Sequence, residues 1–83
     1  MFLNKNENGT NNLCGKNVRE IRKSMHLSQR QLAENLQRIG LDVDKNAIQR
    51  IEAGKRFVTD IELKKLSAVL GVTLETLLRE EGE

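Results

Sequence analysis

The sequence predicts an all-α fold, on three observations. Apolar residues recur three and four apart, at helical spacing, in short runs from about residue 16 to residue 78. The runs are punctuated by residues that start helices (Ser28, Asp44, Thr59, Thr73) and by glycines that end them (Gly40, Gly54, Gly71). No Val/Ile/Thr-rich alternating run is present, so strands are not expected. With 83 residues, no proline and two phenylalanines as the only aromatics, the chain suits one domain with a modest core and short, well-capped helices.

The elements follow in order. Met1 to Asn12 holds five asparagines and one glycine without periodicity and reads as a flexible arm, residues 1–12. The first helix runs from about Gly15 to Met25, with Val18, Ile21 and Met25 as its core stripe. His26 stands where that helix must turn off, and histidine tolerates left-handed geometry better than most residues. Ser28 and Gln31 form a capping box for the second helix, and Leu27 before them can act as a hydrophobic staple. Leu32, Leu36 and Ile39 form that helix's stripe, and Gly40 ends it.

Leu41 to Val43 links to a third helix, capped by Asp44 and closed by Gly54. Phe57 and Val58 are expected to plug the core. Thr59 and Glu62 form a second capping box. The fourth helix, with Ile61, Leu63, Leu66, Val69 and Leu70, is apolar over a wide face and is expected to be the central buried one. Thr73 caps a short fifth helix with Leu74, Leu77 and Leu78 on one side, expected to pack in the core, with a dimer patch as the alternative use. A domain over residues 13–80 and an acidic tail, 81–83, complete the chain.

Net charge is only +2 but unevenly spread: +3 over residues 1–27, +2 over 28–57 and −3 over 58–83. Such asymmetry lets a nearly neutral chain present one basic face. Cys14 is the only cysteine, which excludes an internal disulfide and fits a reducing cytoplasm; the thiol is expected to be passive. No apolar run approaches the ~20 residues of a membrane span, and the N-terminus lacks the apolar core of a signal peptide. One histidine, no Cys/His cluster and no phosphate-binding glycine loop argue against an enzyme, a metal site, a cofactor or a small-molecule ligand.

The third helix carries the functional signal. In Asp44–Arg56 (DKNAIQRIEAGKR), Ile48 and Ile51 stand three apart on one face. Lys45, Asn46, Gln49 and Arg50 fall on the other, with Lys55 and Arg56 just past the end. Arg and Lys suit guanine edges and phosphates, and Asn and Gln suit adenine. Taken alone, this helix fits a solvated amphipathic surface as well as a DNA-reading one.

The order Leu27-Ser28-Gln29, Leu32-Ala33-Glu34 with Leu36, Val43 to Arg56, Leu66, Leu70 to Leu74 and Leu77-Leu78 resembles the helix-turn-helix domain of the phage repressor and Cro class, the Xre family. The resemblance implies a five-helix lambda-repressor-like domain, here with an extended second helix. It implies a sequence-specific, double-stranded DNA-binding transcriptional regulator, a repressor acting by operator occupancy. Such proteins are bacterial or phage-encoded and cytoplasmic, and they bind palindromic operators as homodimers. It casts Lys45, Asn46, Arg50 and, more weakly, Gln49 as base readers. It casts Gln29, which also braces the third helix, with Lys55 and Arg56 as backbone contacts. It casts Arg22 and Glu52 as a structural ion pair between the first and third helices. One departure is visible: eleven residues separate Leu36 from Ile48, more than the family usually has, read as a second helix reaching Ile39 and a longer turn. The alternative reading, a helical protein–protein interaction module that keeps this fold without DNA, draws on the acidic C-terminal third.

Overall fold

The computed structural model describes residues 9–80. It holds five helices: α1 (Gly15–Ser24), α2 (Gln29–Arg38), α3 (Lys45–Glu52), α4 (Asp60–Leu70) and α5 (Leu74–Leu78), with no strand among the described residues. The first eight residues of the expected arm and the acidic tail, 81–83, lie outside the described residues.

Side-chain capping starts four of the five helices. Ser28, Asp44, Thr59 and Thr73 are N-caps, each accepting from the backbone N–H three residues on. The boxes Ser28/Gln31 and Thr59/Glu62 are both closed reciprocally. Four helices end alike. Past α1, His26 N–H donates to Lys23 O and Leu27 N–H to Arg22 O. Gly40 and Leu41 repeat this pair of bonds past α2, and Gly54 and Lys55 past α3. Past α4, Val72 N–H reaches Ser67 O. This is the Schellman closure, which needs a left-handed residue at its centre. His26 supplies it at φ 58° where the other helices use glycine.

The core gathers one stripe from each helix. Val18, Leu32, Leu36, Ile48, Leu66 and Leu77 are fully buried. Each such leucine is worth ~1.5–3 kcal/mol relative to exposure. α3 packs against both α1 and α2, so its inner face is fixed from two sides.

Four apolar expectations need correction. Met25 and Ile39 are largely exposed, because each stands at the C-cap, where the chain has left the helical path that would carry it inward. Phe57 is 53% exposed and does not plug the core; Val58 alone packs there. α4 is not the central buried helix: Ile61 is 64% exposed and only Leu66 and Leu70 are buried. Ile61 sits in the first turn of α4.

Thr10 to Asn12 also differ from a free arm. Asn11 N–H donates to Gly54 O (2.8 Å), and Asn12 Nδ2 donates to Ile51 O (3.1 Å) and Arg56 O (2.7 Å). The segment is a strap across the C-terminal end of α3. Gly15 makes this possible: a Cβ there would stand 2.1 Å from Ile51 O.

Candidate nucleic-acid interface

Helical periodicity and burial divide α3 in two. Ile48 and Ile51 are 0% and 2% exposed and face the core, which turns Lys45, Asn46, Gln49 and Arg50 to solvent. None of these four side chains has a hydrogen bond or ion pair with any described residue. They form one outward surface carrying two cations and two carboxamides. Lys55 follows, also exposed, just past the glycine that closes the helix.

Beneath this surface lies a braced floor. Arg22 of α1 meets Glu52 of α3 through two bonds, Nε to Oε2 at 2.6 Å and Nη2 to Oε1 at 3.0 Å. Both side chains are nearly fully buried. The remaining amino group, Nη1, donates to Leu27 O (2.8 Å), so one guanidinium ties α1, the α1–α2 turn and α3 together. The hydrogen bond to Glu52 pushes the Arg22 pKa above the usual guanidinium range and keeps it charged. Gln29, at the first position of α2, donates Nε2 to Glu52 Oε1 (3.1 Å). A carboxamide nitrogen has two protons, so Gln29 braces α3 and still has a second N–H to offer.

α2 and α3 enclose an open groove whose lining includes Arg22, Gln29, Arg30, Asp44, Lys45 and Asn46. Gln37 Nε2 donates to Val43 O (2.7 Å), and Lys65 Nζ donates to Ile39 O (2.7 Å). These bonds fasten both ends of the long α2–α3 connection, so the extra residues do not loosen α3. Two packed helices joined by a fastened turn, one with a free polar face, make a helix-turn-helix pair. A helix-turn-helix family model (HTH_3) matches residues 18–77, which takes in α2, α3 and most of the other helices.

The chain belongs to this helix-turn-helix family, the phage repressor and Cro type.

The helix-turn-helix domain is similar to three solved structures. The restriction-modification controller protein C.AhdI from Aeromonas hydrophila is 28% identical, with a TM-score of 0.66 over 76% of this chain and 84% of that one. A hypothetical transcription factor, NHTF, from Neisseria shares the fold at 22% identity, with a TM-score of 0.74 over 92% and 82% of the two chains. The SinR protein in a SinR/SinI complex is 33% identical, with a TM-score of 0.68; the match covers 83% of this chain but 63% of that one. No curated protein sequence matches. The family makes this a DNA-binding domain of the transcription-regulator kind. Among the described residues no helix is long and apolar enough to cross a membrane, and no group of three metal-ligating side chains occurs.

Within the helix-turn-helix domain one expected backbone contact is placed otherwise. Arg56 turns away from the α3 surface and pairs with Glu62 of α4, Nη1 to Oε1 at 3.0 Å and Nη2 to Oε2 at 2.8 Å. Glu62 also accepts from Thr59 N–H in its capping box, so one carboxylate holds both the helix cap and the Arg56 guanidinium. Arg56 therefore joins the α3 exit to the start of α4 instead of standing free for phosphate.

Cys14 is 1% exposed, and burial pushes its thiol up to about 11, which keeps it protonated and inert. Three contributors are not legible in the sequence. Asn11 and Asn12 were part of a compositional bias in the sequence, and nothing in their spacing marks them as partners for carbonyls some forty residues away. The signal for Glu62 was its capping box, which says nothing of Arg56.

Proposed function

We propose that this domain is a sequence-specific, double-stranded DNA-binding repressor that acts by occupying its operator. One observation carries the reading: the outward face of α3 holds Lys45, Asn46, Gln49 and Arg50 without internal partners, while its inner face is anchored in the core and on Arg22. In this geometry α3 enters the major groove. Arg50 and Lys45 offer donors to guanine, and Asn46 and Gln49 offer paired donor and acceptor to adenine. Lys55 and the second N–H of Gln29 take phosphate oxygens and set the register.

Occupancy requires no further chemistry, since a bound domain blocks access to the duplex. Two copies on a palindromic site would double the base contacts. Leu74 and Leu78 support such a homodimer, because they remain 46% and 37% exposed while Leu77 fills the core.

Selection of bound sequences from random duplex DNA tests the reading. A shared motif with inverted half-sites about one helical turn apart is expected. Retention of every sequence equally, or of none, would overturn it.

A further inference from the structure

The strap before α1 has the geometry of a positioning device for the DNA-facing surface. Lys55 is the residue it acts on. The Lys55 N–H donates to Arg50 O (2.9 Å), as the α3 closure requires. The Lys55 carbonyl accepts from Asn11 Nδ2 (3.0 Å). The next carbonyl, of Arg56, accepts from Asn12 Nδ2, and the preceding one, of Gly54, accepts from Asn11 N–H. Three consecutive carbonyls around Lys55 are thus held by two asparagines, while the Lys55 side chain is exposed and unpaired with any described residue.

Stability alone does not account for Asn11. Its Oδ1 is buried and has no hydrogen-bond partner among the described residues. Leaving an acceptor unsatisfied offsets much of what the Nδ2 bond contributes. What the amide does without offset is fix where the Lys55 backbone stands. A cation held at its Cα keeps its ammonium near one phosphate and loses less freedom on binding than a lysine on a loose loop.

We propose that Asn11, with Asn12 beside it, is a positioning residue for DNA binding that acts through Lys55. This rests on the reading of Lys55 as a phosphate contact.

The test is a salt titration of DNA affinity for wild type, Asn11→Leu, Lys55→Ala and the double variant, each on the selected duplex. Leucine keeps the size of asparagine but removes the donor. Lys55→Ala should lower the salt slope by about one. Asn11→Leu should lower it by part of that amount, with a several-fold weaker affinity and a thermal midpoint close to wild type. In the double variant the Asn11 change should add nothing further to the slope or the affinity, since its target is gone. Asn17→Ala is the control. Asn17 Nδ2 donates to Leu77 O and Arg79 O, the same chemistry at the end of α5. It should lower stability and leave the slope unchanged. Should Asn11→Leu fail to fold, Asn11→Ala replaces it in the same cycle. An unchanged slope in the Asn11 variant, or effects that add in the double variant, would overturn the proposal. A wild-type slope untouched by Lys55→Ala would overturn the phosphate role of Lys55 instead, and no DNA binding at all would overturn the function.

Discussion

Replacing Glu52 by alanine removes the carboxylate on which three elements converge. Arg22 would keep its charge at 9% side-chain exposure, with its Leu27 bond but without the pair of bonds to Glu52. Gln29 would lose its acceptor as well. Breaking a buried pair from one side typically costs ~3–5 kcal/mol, because the remaining charge is uncompensated. A domain of this size has only about 4–12 kcal/mol in total. Each kcal/mol moves the thermal midpoint by about 4–8 °C, so a fall of at least ~12 °C is expected.

The assay is thermal unfolding followed by circular dichroism, with Glu34→Ala as control. Glu34 is half-exposed and lies 4.0 Å from Arg30, an exposed i,i+4 contact worth under ~0.5 kcal/mol. A double variant, Arg22→Leu with Glu52→Leu, separates charge from packing: removing both charges should cost less than Glu52→Ala alone. Equal melting of Glu52→Ala and Glu34→Ala would refute the reasoning, and so would a double variant worse than the single.

Three further outcomes follow from the backbone and from the Arg56–Glu62 pair. Gly15→Ala should destabilise by at least ~2 kcal/mol in denaturant unfolding, since its Cβ would meet Ile51 O at 2.1 Å; helix propensity alone calls for the opposite sign, so the sign decides. His26→Gly should stabilise by roughly 0.5–1 kcal/mol, because glycine takes φ 58° without strain, and a loss of stability would show that the histidine side chain contributes more than its backbone costs. The hydrogen bond from Arg56 holds the Glu62 carboxyl below its ordinary 4.5, with the Thr59 bonds helping. A carboxylate depressed in the folded state adds stability that is fully present above 4.5 and is lost as pH falls through the lower folded value. Unfolding free energy measured against pH should therefore drop below about pH 4.5, and Glu62→Gln should flatten that drop; an unaltered profile would mean that the pair does not matter there.

The local signals were legible because they act over three or four residues. Ser28, Asp44, Thr59 and Thr73 each declare a helix start by their own chemistry, and all four cap as their spacing implies. His26 was readable for the same reason: a turn-off position without glycine must take an unusual φ. Periodicity was less reliable at helix ends. Met25 and Ile39 continue the stripe in sequence, but the helix stops beneath them, so the face they extend no longer exists. Ile61 and Phe57 show the converse limit, since apolarity alone does not say whether a neighbour lies within reach. The α3 surface could be assigned from Ile48 and Ile51 alone. The fate of Arg56 could not, because its partner comes from a capping box that looks complete without it. The strap is the clearest case: Asn11 and Asn12 earn their places only through carbonyls brought near by the fold.

Base reading by α3 is tested most directly at Arg50. Its side chain projects from the face opposite Ile48 and Ile51 and packs against nothing in the core, so Arg50→Ala should fold and melt like wild type. The measurement is the affinity of Arg50→Ala and wild type for the selected site and for scrambled duplex of the same length, at one fixed salt concentration. A loss of ~1–3 kcal/mol on the selected site, a much smaller loss on scrambled DNA and a relaxed choice at one base pair are expected. Equal weakening on both duplexes would contradict base reading by Arg50 and would make α3 a phosphate-binding helix whose register differs from the one its free face implies.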